Sequence, residues 1–133
     1  MHTHLKDNNF KEDLINYSED SPFREVCGFI CKKDNGFEFC KAINHSKDDG
    51  TFLIKPIDYL HKKLEGNLVA IFHTHTEGGS EPSEYDKTTS ANLLLPFVMY
   101  SLEDKNFSLF DLKGFEVEEN CVKSLKESLG IND

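Results

Sequence analysis

No apolar run in this 133-residue chain approaches the ~20 residues that a membrane helix requires, so a helical membrane span is excluded. The amino end, Met1 to Asn9, has neither an apolar core nor a small-residue cleavage site. A secretory signal is therefore not expected, and the expected location is cytoplasmic. Basic residues are few and dispersed: 15 Lys and Arg stand against 24 Asp and Glu, for a net charge of -9. That balance argues against nucleic acid, whose phosphates are bound by clustered cations, and the doublets Lys32-Lys33 and Lys62-Lys63 read as solvated edges. A basic or neutral protein partner remains compatible with the acidic surface. No C-x-x-C pair occurs among Cys27, Cys31, Cys40 and Cys121; the first three lie in strand-like runs where a thiol packs as a small hydrophobe, so they read as reduced and structural. Internal repeats, low-complexity tracts and long linkers are also missing, so residues 1–133 are expected to form one domain, long enough to bury roughly two thirds of the surface of the unfolded chain.

What is present is a mixture of helical and strand periods. Phe10, Leu14 and Tyr17 at helical spacing predict a short amphipathic helix over Asn9 to Tyr17, stopped by the turn that ends at Pro22. Val26 to Cys31 and Phe37 to Ile43, separated by Asp34-Asn35-Gly36, predict a β-hairpin. Thr51 to Lys55 reads as a short third strand, and Pro56 suits the first turn of a helix covering Asp58 to Leu64. A strand over Leu68 to His73, a helix over Glu84 to Leu94, strands at Phe97 to Leu102 and Phe107 to Leu112, and a helix over Glu118 to Leu129 complete the expected order.

The segment His73 to Asp86, HTHTEGGSEPSEYD, carries the chemistry. Residues i and i+2 of a strand face the same side, so His73 and His75 point at one ion if the strand continues through Thr74. Ser83 and Asp86 share a helix face at i, i+3. A glycine-rich loop between strand and helix lets the helix's first turn fold over the two imidazoles. Two histidines and a carboxylate leave the fourth position of a tetrahedral zinc for water, which is the pattern of a catalytic rather than a structural site. Ser83, near a helix start, is placed to stabilise an oxyanion.

The spacing H-x-H, seven residues, S-x-x-D resembles the JAMM motif of the JAB/MPN metalloprotease family, and Pro22-Phe23-Arg24-Glu25-Val26-Cys27-Gly28-Phe29-Ile30 resembles that family's early strand with its glutamate. The similarity runs from about Tyr17 to Leu112, with mild departures at Thr74 and in the acidic loop Glu77 to Pro82. It implies a single-domain α/β fold of the JAB/MPN (cytidine-deaminase-like) kind, a curved mixed, mostly antiparallel sheet flanked by helices. It also implies one Zn2+ ion on His73, His75 and Asp86, proton transfer by Glu25 and oxyanion stabilisation by Ser83. The implied activity is that of a zinc peptidase or isopeptidase cleaving after the Gly-Gly tail of a ubiquitin-like protein. The short connections are more like compact bacterial, archaeal and phage members; the phage tail-assembly type usually adds a cell-wall hydrolase domain, which is not expected here. A non-catalytic MPN scaffold that binds a protein partner is the competing class.

Other acids and histidines have simpler readings. His45 and His61 read as ordinary core or surface residues, and Glu77, Glu81 and Glu84 as loop and helix-cap charges. His2-Thr3-His4 repeats the tripeptide without a strand before it or an acid after it, which shows how weak H-x-H is alone. Gly78-Gly79 reads as a flexible loop. A zinc deaminase would need P-C-x-x-C beside its histidine and glutamate, and a zincin H-E-x-x-H; neither P-C-x-x-C nor H-E-x-x-H occurs.

Overall fold

The computed structural model describes residues 3–111 and 117–131. Among these residues the order is α1 (Thr3–Glu19), β1 (Cys27–Lys33), β2 (Gly36–Ala42), α2 (Pro56–Leu64), β3 (Leu68–His75), α3 (Glu84–Leu93), β4 (Phe97–Ser101), β5 (Asn106–Phe110) and α4 (Glu119–Leu129). The five strands form one sheet in the order β2-β1-β3-β4-β5. Only β3 and β4 run parallel; the other neighbours are antiparallel. The fold is thus mixed α and β with a mostly antiparallel sheet. No described helix is long and apolar enough to cross a membrane.

Each face of the sheet has its own core because strand side chains alternate. On one face Ile30, Ala70, Phe72, Val98 and Tyr100 pack with Phe10 and Leu14 of α1 and Leu125 and Leu129 of α4. On the other, Cys27, Phe29, Ile71, Phe97 and Met99 pack with Phe52 and Leu95. His73 lies two residues after Ile71 and so emerges on this second face. Parallel strands cannot be joined by a tight turn, and the connection from β3 to β4 makes its crossover through α3. This topology puts the start of α3 beside the end of β3.

The hairpin forms as its pattern predicts, with Lys33 opposite Gly36 across a two-residue turn. Gly36 has φ 148°, a value that L side chains rarely adopt. Phe10 and Leu14 are buried as expected, while Tyr17 sits half-buried with its ring 5.0 Å from that of Phe39. The helix carrying them begins earlier than its apolar spacing implies, at Thr3 rather than Asn9. The expected strand over Thr51 to Lys55 pairs with no other strand. Its backbone groups are satisfied instead by Asn44, whose side chain donates to the Thr51 carbonyl and accepts from the Leu53 N–H, while Leu53 O accepts from His45 N. The last strand ends at Phe110, two residues before the expected Leu112, which lies outside the described residues. All four cysteines are free thiols, Cys27 and Cys31 buried.

Candidate metal centre

The two histidines occupy the end of β3, where the ladder with β1 also ends. Cys27 lies opposite His73, and the next pair is bonded twice, Thr74 N to Val26 O at 3.0 Å and Val26 N to Thr74 Oγ1 at 3.0 Å. Glu25, one residue before Val26, lies beyond the last paired residues, and the charges of His75 and Asp86 both act on its carboxyl. Alternation then places Glu25 on the same face as Cys27, His73 and His75.

Asp86 reaches this face from the first turn of α3. Ser83 is the helix N-cap, its hydroxyl oxygen accepting from Asp86 N at 3.1 Å while the Asp86 carboxylate accepts from Ser83 N at 2.9 Å. Such a reciprocal capping box satisfies two otherwise unpaired N–H groups and sets the direction of the carboxylate. His73 Nε2 lies 2.7 Å from Asp86 Oδ1, and His75 Nε2 lies 3.0 Å from Asp86 Oδ2. The ligand atoms of His73, His75 and Asp86 all fall within 4.8 Å of one another.

These contacts decide the tautomer of His75. A carbonyl only accepts, so His75 Nδ1 donates its hydrogen to Gly79 O at 2.8 Å. In a neutral ring the Nε2 lone pair then faces a carboxylate oxygen, and a proton or a cation must lie between them. Burial opposes a charged His75, yet its bonds to Asp86 and Gly79 raise its pKa overall. His73 is the opposite case: burial, against the pull of Asp86, holds it down at about 3, so the ring is neutral and able to ligate. Its Nδ1 is buried without a partner. Burial also works against the charged form of Asp86, but the His75 bond, the His73 ring and the Ser83 N–H together keep its pKa low. A neutral buried imidazole, a second imidazole oriented by a backbone carbonyl and an ionised carboxylate are a donor set that fits zinc.

Glu25 is only 7% exposed. Its burial is the largest influence on its carboxyl and pushes it up to about 8, with His75 opposing and Asp86 and Asp48 adding to the rise. Ser83 is exposed, and with its oxygen engaged by Asp86 N the hydroxyl hydrogen remains to donate outward.

Several participants carry no motif. The Phe52 ring stands edge-on to His73 with centroids 4.4 Å apart, and Phe97 lies 5.7 Å away, so aromatic walls exclude water from that imidazole. Tyr85, on the first turn of α3, donates to Phe52 O at 3.1 Å. The Gly78-Gly79 segment is not a free loop: Gly78 O accepts from Ser101 Oγ at 2.6 Å, Gly79 O takes the His75 hydrogen, and Ser80 O accepts from Ser108. Serines at strand positions and a backbone carbonyl give no sequence signal of such roles, and Gly78, at φ 76° with open space beside it, marks only a turn of the backbone. Among the described residues His45 and His61 join no ligand group, and Glu77, Glu81 and Glu84 are exposed. His2 lies outside the described residues.

Residues 10–113 match the family model described as prokaryotic homologs of the JAB domain. The chain belongs to that family. Among curated proteins this JAB chain is similar to tail tip assembly protein K of Escherichia phage N15, 29% identical over 92 residues. That match takes in 68% of the JAB chain but only 38% of the phage protein. Among solved structures, the solution structure of protein DSY2949 from Desulfitobacterium hafniense superposes with a TM-score of 0.57 at 19% identity, covering 81% of this chain and 84% of that one. At that identity the likeness is one of fold.

Proposed function

We propose that this JAB chain is a zinc-dependent peptidase, with His73, His75 and Asp86 holding the ion, Glu25 moving the proton and Ser83 binding the oxyanion. The observation that carries the reading is the convergence of a buried glutamate on the sheet face where two imidazoles and a carboxylate already meet within 4.8 Å. A zinc ion held by His73, His75 and Asp86 would supply a Lewis acid and would make water in the site acidic enough, with a pKa of about 7, to lose a proton at neutral pH.

The residues of the chain perform the rest. Glu25 takes the proton released by the attacking water and returns it to the leaving amine, and a carboxyl poised near neutrality by burial suits both halves of that transfer. Ser83 donates its hydroxyl hydrogen to the carbonyl oxygen as negative charge develops, aided by the positive end of α3. Asp86 is held still by the capping box, so it needs little reorganisation to hold its ligand position. Phe52 and Phe97 keep water from His73, which strengthens every charge interaction there.

The substrate we propose is a ubiquitin-like protein ending in Gly-Gly, joined to a lysine or to a fused peptide. An extended, small tail can lie beside a strand edge as an added strand, and no nucleic acid or membrane is invoked. A second reading is favoured by the similarity to the phage tail tip assembly protein: cleavage of a protein during phage tail assembly by the same site. A non-catalytic scaffold accounts less well for a complete donor set with a buried glutamate beside it.

The test is Glu25→Gln. Zinc content and the far-UV spectrum should match the wild type, while hydrolysis of a Gly-Gly-tailed ubiquitin-like fusion falls by about 100-fold or more, the scale of general acid–base catalysis. Cleavage at the wild-type rate would refute the role of Glu25. Zinc-free purified protein that binds no added zinc would refute the metal centre and favour the scaffold. Cleavage of a phage tail protein but not of the ubiquitin-like fusion would select the second reading.

A further inference from the structure

Glu25 stands outside the sheet ladder that places its neighbours, since β1 begins only at Cys27. Both of its backbone groups are tied instead to the segment 44–53: its N–H donates to Asp49 O at 2.9 Å, and its carbonyl accepts from Asn44 Nδ2 at 2.8 Å. Asn44 therefore sits at a junction. Its second Nδ2 hydrogen goes to Thr51 O at 3.0 Å, and its Oδ1 accepts from Ser46 N at 2.9 Å and Leu53 N at 3.0 Å. Two donors and two acceptor sites are all that a carboxamide has, and every one is used.

The two positions gripped on the far side, Thr51 and Leu53, flank Phe52, whose ring packs against His73. One side chain thus binds the backbone of the glutamate and the backbone on both sides of the aromatic wall of a metal ligand. Arg24 closes the same segment from outside, its guanidinium donating to Asn44 O at 2.9 Å, Ser46 O at 2.7 Å and Asp49 Oδ1 at 2.9 Å.

Resting on the hydrolase reading, we propose that Asn44 is a positioning residue: it sets where the Glu25 carboxyl stands relative to His73 and His75, acting through the 44–53 segment and touching no substrate. Among the described bonds Asn44 is what holds the Glu25 carbonyl; the Glu25 N–H goes to Asp49 O in the same segment, and the sheet side is held one residue on by the Val26–Thr74 pair.

Asn44→Asp tests this with little change of shape. It preserves the oxygen that serves Ser46 and Leu53 but sets a second acceptor against the carbonyls of Glu25 and Thr51. Asn44→Ala, which removes all four bonds, serves as the second variant. The primary readout is native-state amide exchange, with and without zinc, which needs no turnover. A purely local loop-closing role would speed exchange at Ser46 and Leu53 alone. A positioning role also speeds the Glu25 amide, by about tenfold or more, while Ile71 and Val98 in the central strands stay protected. Zinc affinity should remain within about threefold of wild type. In the zinc-loaded enzyme kcat should fall about tenfold or more with KM within about twofold, as for loss of an arrangement needed only in the transition state. Unchanged exchange at Glu25 in both variants overturns the proposal, as does a uniform rise across the sheet or a rate loss that merely follows lost zinc. If the wild-type chain cleaves no peptide bond, the hydrolase reading falls on that result, and exchange at Glu25 still decides whether Asn44 holds that residue.

Discussion

Replacing Glu25 with glutamine in the metal-free protein should stabilise it increasingly as pH rises, and the size of the gain follows from where the carboxyl sits. Burial pushes Glu25 from its ordinary 4.5 up to about 8. Between those values the folded chain keeps a proton that the unfolded chain has released, so stability falls with rising pH, by up to about 1.4 kcal/mol per unit. Over the whole interval the ceiling is about 5 kcal/mol. Glutamine stands in for the neutral carboxyl and removes this dependence. The two proteins should be nearly equally stable at pH 4.5, diverge through neutrality and run parallel above pH 8. His75, with a raised pKa, also loses stabilisation as pH rises; His73 and Asp86, both lowered, lose theirs as pH falls. Because the Glu25 charge also helps to raise His75, the difference between the two proteins reports Glu25 together with its coupling to that imidazole, and burial of the carboxyl remains the largest part of it. Urea unfolding at five pH values in the presence of a chelator measures it, the chelator being necessary because a nearby cation would favour the charged carboxylate. Equal slopes in the two proteins, or a wild type that gains on the variant as pH rises, would refute the argument that Glu25 is held in a desolvating site. The expected result pairs a gain in stability with the loss of hydrolysis, the usual relation for a group kept for its chemistry.

Two further substitutions test the frame around the site. A Cβ at Gly28 would lie 2.5 Å from Phe39 Cε1 and 2.6 Å from the backbone oxygen of Cys40. Gly28→Ala should therefore cost about 1–3 kcal/mol in denaturant unfolding, as overpacking does, and a change below about 0.5 kcal/mol would show that β2 yields easily. Ser83→Ala removes the N-cap of α3 and should cost about 1 kcal/mol, with Ser83→Gly costing only a few tenths. Equal stability of Ser83→Ala and wild type by thermal unfolding would mean that the cap contributes nothing to holding Asp86.

Much of the site was legible because its parts are close in the chain. His73 and His75 share a face by strand alternation and Ser83 and Asp86 by helical spacing, both short-range regularities that survive whatever the rest of the molecule does. Glu25 was different. Nothing local distinguishes it from a solvated acid; its candidacy came from resemblance, and its place near the site depends on how β1 meets β3, strands separated by β2 and α2, and on its backbone bonds to the 44–53 segment.

The strand expected over Thr51 to Lys55, which pairs with no other strand, shows the same divide. Its β-prone residues are genuine, and Phe52 is buried, but whether such a segment joins a sheet depends on what else offers bonds to its backbone. Here the Asn44 side chain, the His45 N–H and the Tyr85 hydroxyl do so. Gly78-Gly79 likewise looked loose because glycine permits motion, whereas Ser101 and Ser108 from distant strands hold it in place. The sequence by itself determined the hairpin, the helical stripes, the spacing of the candidate ligands and the acidic character, because each rests on periodicity or composition. Tertiary structure alone decided the sheet order, the approach of Glu25, the tautomer of His75 and the grip of Asn44. Register and side-chain-to-backbone bonds join residues far apart in the chain, and no local pattern encodes which of them will meet.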